Sequence, residues 1–145
     1  MESNFIPLNQ FKTEFCSNSS DFFYSLFLPR IKSININLPQ KTITYFLNLN
    51  EPFINPVNKI HGGAIGTIIE NLTNSTIYYF TKKQYHTLDM NINFVNSIEI
   101  NTDFEVIIKC VKSEGMTTFL EVELRDKERI LSVGSVIKSI ISAKF

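Results

Sequence analysis

The sequence predicts an α+β architecture, an antiparallel β-sheet with one long helix laid on its face, and three observations predict it. Apolar residues recur at helical spacing from Gly63 to about Phe80 with no proline to interrupt them. Six other stretches are rich in β-formers and bounded by turn chemistry. Their order, helix, two strands, helix, four strands, lacks the βαβ alternation that a parallel sheet requires.

The elements follow in chain order. "NSSDFFYSLFL", residues 18–28, offers Ser or Asp as an N-cap before an apolar run, and Pro29 with Arg30 closes this short opening helix. "IKSININL" and "TITYFLNLN" bracket the turn "PQK" and read as a hairpin. Residues 50–60, "NEPFINPVNKI", form a Pro- and Asn-rich loop that delivers the chain to "HGG". In the long helix Ile65, Ile68, Ile69, Leu72 and Tyr79 mark the buried face. "HTLDMNINFV" alternates strictly, with Leu88, Met90, Ile92 and Phe94 on one face and Thr87, Asp89, Asn91 and Asn93 on the other, the pattern of a half-buried strand. "DFEVIIKCVKS", "TTFLEVELRD" and "RILSVGSVIKSI" are three more strands, joined by the turns "EGM" and "DKE" as successive hairpins.

Composition narrows the function classes. A chain of 145 residues, 43% apolar and 19% charged, has the size and composition of one folded domain, 1–145. Formal net charge is zero and the basic residues are dispersed, so there is no footprint for nucleic acid. No apolar run reaches the length of a membrane span, and the first residues lack the pattern of a secretion signal. The expected compartment is the cytoplasm, with an organelle left open. Cys16 and Cys110 have no metal-binding spacing and read as free thiols of a reducing compartment. No metal site is expected, and the sequons at Asn18, Asn71 and Asn74 are expected to have little meaning, being chance matches in an Asn-rich chain.

"HGGAIGTIIEN" followed by "LDMNINFV" carries the chemistry. At a helix N-terminus the first amide N–H groups lack intrahelical partners and attract negative charge. Glycine at 62 and 63 lets a ligand approach that backbone and permits torsions closed to other residues. One such donor on a developing oxyanion is worth roughly 10²- to 10³-fold in rate. Glu70, on the apolar helix, is the candidate base or nucleophile. Eight residues of helix separate it from Gly62 by about 12 Å, too far for both to meet one carbonyl, so a second subunit must supply one of them.

These motifs resemble the hotdog-fold acyl-CoA thioesterases of the phenylacetate-pathway and thioesterase-superfamily group, over nearly the whole chain. The resemblance implies an antiparallel sheet wrapped around the long helix. It also implies a homodimer, or a dimer of dimers, with two interfacial sites, each combining one chain's HGG turn with its partner's carboxylate. The implied activity is hydrolysis of a fatty or aromatic acyl-CoA to free acid and coenzyme A, with no cofactor beyond the coenzyme A of the substrate. Carried over residue by residue, Gly62 is the oxyanion donor and Glu70 the catalytic carboxylate, where relatives similar in overall pattern have Asp and other hotdog thioesterases have Glu. Asn55 and Thr87 orient the carbonyl or the attacking water, although Asn55 before Pro56 is also turn chemistry and Thr87 also an ordinary strand residue. His61, Gly63 and Phe94 line the substrate site, His61 being equally a turn histidine bonded to backbone. "KSEGMTT" resembles the connection that holds coenzyme A phosphates, which makes Lys112 the candidate cation, with Lys138 a second. Phe46, Tyr78, Tyr79 and Phe94 are the aromatics expected to shape the acyl pocket. The rival functions are a hotdog 3-hydroxyacyl thioester dehydratase or hydratase, and a non-catalytic acyl-CoA binding protein.

Overall fold

The computed structural model describes residues 4–7, 9–11, 22–127 and 129–141. Its elements are β1 (Asn4–Phe5), α1 (Phe22–Phe27) running into a 3₁₀ turn (Leu28–Arg30), β2 (Ile31–Asn37), β3 (Thr42–Asn48), α2 (Gly62–Thr81), β4 (Tyr85–Phe94), β5 (Asp103–Glu114), β6 (Thr117–Asp126) and β7 (Arg129–Ile140). Residues 18–21 of the expected opening helix lie outside the described residues, and Pro29 begins its end by falling within the 3₁₀ turn. Every pairing is antiparallel, in the order β1-β2-β3-β5-β6-β7-β4. This is the hotdog fold: a long sheet curls around α2.

Alternation along the strands puts one face of the sheet onto that helix. Ile43, Tyr45 and Leu47 of β3, Val106 and Ile108 of β5, and Leu120, Val122 and Leu124 of β6 are buried with Ile65, Ile68, Ile69 and Leu72 of α2. The helix also buries Thr73, Ser75 and Thr76. The two threonines can be buried because each hydroxyl donates to a carbonyl one turn back, Thr73 to Ile69 and Thr76 to Leu72. Thr76 also meets the Tyr45 hydroxyl at 2.9 Å, joining helix to sheet. α1 closes one end, where Phe27 stacks on Phe53 at 5.2 Å between centroids and Arg30 lies over the same ring. Among the described residues no helix is long and apolar enough to cross a membrane.

Strand β4 departs from the sequence expectation in two ways. It is the outermost strand and, in a single chain, more exposed than half-buried: Leu88 is 57%, Met90 38% and Phe94 57% exposed. Its alternation is also broken. Thr87 pairs with Lys138 and Asp89 with Ile137, so Leu88 is an extra residue without a partner, a β-bulge. The bulge reverses the phase of the strand. Thr87, assigned above to the face of Asp89, Asn91 and Asn93, instead shares the helix-facing side with Met90, Ile92 and Phe94. The strand sits tightly on β7 because Gly134 allows it; a Cβ there would lie 2.5 Å from the Asn91 carbonyl oxygen.

Candidate active site

Helix α2 begins at a built cap. His61 takes the N-cap position in extended conformation, and its Nδ1 accepts the Gly63 N–H at 2.9 Å, so the ring carries its proton on Nε2. The His61 carbonyl accepts from Ala64 and Ile65. Among the amides of this opening turn, Gly62's is left without a partner in the described structure. Neither glycine needs a left-handed torsion; the glycine with positive φ is Gly115, in the β5–β6 turn. Space is what Gly63 provides, since a Cβ would meet His61 Nδ1 at 3.1 Å. At Gly62 a Cβ would only touch the Phe94 ring at 3.6 Å.

Two turns further on, Glu70 belongs to a four-residue polar cluster. Thr87 Oγ1 donates to Glu70 Oε2 at 2.6 Å. Lys138 Nζ donates to Thr87 Oγ1 at 2.7 Å, to Asn74 Oδ1 at 2.8 Å and to Glu70 Oε2 at 3.4 Å. Asn74 Nδ2 reaches Glu70 Oε1 at 3.5 Å. The Lys138 side chain is 0% exposed and that of Glu70 36%. Burial, partly opposed by the charge and hydrogen bond of Glu70, lowers the lysine below its ordinary range. Glu70 also lines an open groove of about 580 Å³, whose floor is the stripe Gly63, Gly66, Thr67, Glu70, Asn71 and Asn74 on α2, with Met90 of β4 at its edge. A carboxylate held on one side and open to a groove on the other is suited to accept a proton from water or to attack a carbonyl.

Comparison with known proteins identifies the family. A model of the thioesterase superfamily matches residues 58–133, over half of the chain and including the capped helix start, Glu70 and β4. The chain belongs to the thioesterase superfamily. Membership makes it a thioester hydrolase. Its fold is similar to that of thioesterase superfamily member 2 from Mus musculus, with a TM-score of 0.74 at 17% identity, covering 90% of this chain and 92% of that one. It is also similar to a hypothetical thioesterase from Streptococcus pneumoniae TIGR4 crystallised with coenzyme A (TM-score 0.65, 15% identity, 68% and 80% covered). A third is smu.793 from Streptococcus mutans UA159, bound to acetyl-CoA (TM-score 0.67, 14% identity, 73% and 86% covered). A search of curated proteins by sequence found no match.

In this thioesterase the structure brings Glu70 and Thr87 together, and sets Gly62, Gly63, His61 and Phe94 together at the start of α2, within one chain. It does not use Lys138 as expected. A fully buried ammonium cannot grip a phosphate at the surface, and its place beside Glu70 corrects the cofactor-holding role given to it above. Lys112 does stand on the surface near the β5–β6 hairpin, paired with Glu114 at 2.8 Å. Asn55 Oδ1 accepts the amides of Val57 and Lys59, which closes the loop before α2 as an Asx turn. Within one chain the four aromatics lie apart. Phe46 is on the far side of the sheet from α2, beside Phe5 and a depression lined by Lys32 and Asp103. Tyr78 and Tyr79 lie at the C-terminal end of α2, under Lys82.

Sequence reasoning missed Asn74 and Met90. Asn74 carried a signal, because it follows Glu70 by four residues and so shares its face of the helix. The contact of Glu70 with Lys138, 68 residues away in sequence, had none.

Proposed function

We propose that the thioesterase hydrolyses an acyl-CoA at sites shared between two copies of the chain, with Glu70 as the catalytic carboxylate. The observation that carries this reading is the clamp on Glu70: Thr87 and Lys138 hold Oε2, while the side chain lines the open groove. In the reaction, Glu70 takes a proton from water as the oxygen bonds to the thioester carbon, or attacks that carbon itself to give an anhydride that water then opens. The charge that develops on the carbonyl oxygen is met by the Gly62 amide. As the C–S bond breaks, coenzyme A leaves as thiolate; it takes the proton that Glu70 removed from water in the first course, and the proton released when water opens the anhydride in the second. Coenzyme A thus enters with the substrate and leaves as product.

Two facts support a second copy in the site. Gly62 and Glu70 are about 12 Å apart along one helix, so one carbonyl cannot meet both in the same chain. The β4 edge next to the groove exposes Leu88, Met90 and Phe94, with Val95 just after it, an apolar rim on a strand whose outer edge is unpaired and that pairing with a second β4 would cover. Asn55, Lys112 and Phe94 are assigned to the same site as the carbonyl-orienting group, the surface cation for the phosphates, and a wall beside Gly62. The fatty or aromatic nature of the acyl group is an expectation from the family.

The test is thiol release from short, medium, long and aromatic acyl-CoAs by wild type and Glu70→Gln, with molar mass measured by light scattering. Wild type should be a dimer or a dimer of dimers and cleave one class, and Glu70→Gln should keep its mass and lose roughly 10³-fold or more in kcat. Cleavage of no acyl-CoA, or equal rates in the two proteins, would overturn the reading.

A further inference from the structure

We propose that Lys138 is a positioning residue for Glu70: from beneath the site it polarises Thr87 and Asn74 so that both donate to the carboxylate, and it leaves Oε1, with its one long contact to Asn74, as the oxygen that acts. This rests on the reading of Glu70 as the catalytic carboxylate. The argument is one of donors and acceptors. An ammonium has three N–H groups and no lone pair, so whatever touches it must accept. Lys138 spends its three on Thr87 Oγ1, Asn74 Oδ1 and Glu70 Oε2.

That assignment propagates. Because the Thr87 oxygen accepts from Lys138, its own hydrogen points to Glu70 Oε2, at 2.6 Å. Because Asn74 presents Oδ1 to Lys138, its amide Nδ2 faces Glu70 Oε1. Two groups that are chemically ambivalent, a hydroxyl and an amide, are turned into donors by the one group that cannot accept. Oε2 then carries two bonds and is fixed, whereas Oε1 has a single contact at 3.5 Å and is the oxygen left for water or substrate. Misplacing a catalytic group by about 1 Å can cost about 10²-fold in rate.

The sheet makes this arrangement rigid. Lys138 on β7 is paired directly with Thr87 on one side and with Thr118 of β6 on the other, and Thr118 is bonded to Ser113 at 3.0 Å. The groups facing Lys138 are thus Glu70 and Asn74 from α2, Thr87 from β4 and Thr118 from β6; among the described residues Glu70 is the one charge acting on it. The Leu88 bulge is what turns Thr87 into this cluster.

The experiment is the pH dependence of kcat and KM for wild type and Lys138→Met on the acyl-CoA that wild type cleaves best, corrected for uncatalysed hydrolysis, with Glu70→Gln alongside and thermal unfolding of each protein. Burial lowers the lysine below its ordinary 10.5, so wild-type kcat should fall on the alkaline side before pH 10.5, as the ammonium loses its proton and the donor chain collapses. Lys138→Met should lose about 10²-fold in kcat at neutral pH with little change in KM, and should lack the alkaline limb. It should stay folded but melt below wild type, since it removes one partner of an ion pair and leaves Glu70 and Asn74 Oδ1 without the ammonium. A variant with wild-type kcat, or one that keeps the alkaline limb, would overturn the proposal while Glu70→Gln remains dead. An active Glu70→Gln would instead remove the reading on which the proposal rests. Should Lys138→Met fail to fold, the wild-type profile decides: kcat level to pH 10.5 would overturn the assignment.

Discussion

Replacing Thr87 by valine keeps its shape and removes one oxygen, and the structure fixes what that oxygen was doing. Its loss deletes the 2.6 Å bond to Glu70 Oε2 and the 2.7 Å bond from Lys138 Nζ. The two losses are unequal. Glu70 is 36% exposed, so water can refill its position, and that bond contributes little to the change in stability. Lys138 is 0% exposed and is left with a buried N–H unsatisfied, which costs roughly 1.5–3 kcal/mol for a charged group. For a chain of this length that corresponds to a Tm lower by about 5–10 °C. Thr87→Ser keeps the hydroxyl and should lie within about 1 kcal/mol of wild type. The decisive assay is a double-mutant cycle by denaturant and thermal unfolding. In a Lys138→Met background there is no ammonium to orphan, so Thr87→Val should cost less than about 1 kcal/mol and the coupling should be at least about 0.5 kcal/mol. Equal costs in the two backgrounds would refute the reasoning, because the hydroxyl would then not be what satisfies the lysine.

Other outcomes follow from the helix start and from the thiol. Gly63→Ala should be less stable than Gly62→Ala by about 1 kcal/mol, the worth of an N-cap, because its Cβ would press on His61 Nδ1 at 3.1 Å; Gly62→Ala, with ordinary contact to Phe94, should melt at or above the wild-type temperature. Unfolding curves that reverse this ranking would remove the cap from the account. Burial, slightly opposed by Lys41, pushes the Cys110 thiol up from 9.0 to about 11. The folded thiol holds its proton longer than the unfolded one, so this group contributes stability that is full below pH 9 and lost as the pH rises through 11, roughly 2–3 kcal/mol in all. Cys110→Ala should flatten the decline in Tm over that range, and an unchanged slope would count against the assignment. For the same reason native Cys110 in a Cys16→Ser background should react with iodoacetamide at pH 8 about 10²-fold or more slowly than the denatured chain, as measured by mass spectrometry.

Much of this protein is decided locally, and to that extent the sequence determines it. Periodicity over ten or more residues places α2, and β-rich runs between turn residues place six strands, because each signal concerns neighbours along one element. The HGG start, the carboxylate two turns later and their separation are likewise properties of one helix, which is why Gly62 and Glu70 were legible together with their inability to meet in one chain. Thr87 was legible as a residue and misread as a position. A strict alternation assumes a regular strand, and the extra residue at Leu88 is paid in pairing with β7, which no pattern within β4 reveals. The role of Lys138 was illegible for a stronger reason. A lysine on priors is a surface cation, and only the closure of β7 between β4 and β6, beneath α2, removes this one from water and sets it against Glu70, Asn74 and Thr87. Spacing in sequence fixes which residues share a helix face; only the tertiary structure sets which donors and acceptors from separate elements must satisfy one another out of reach of water, and that demand orients the carboxylate.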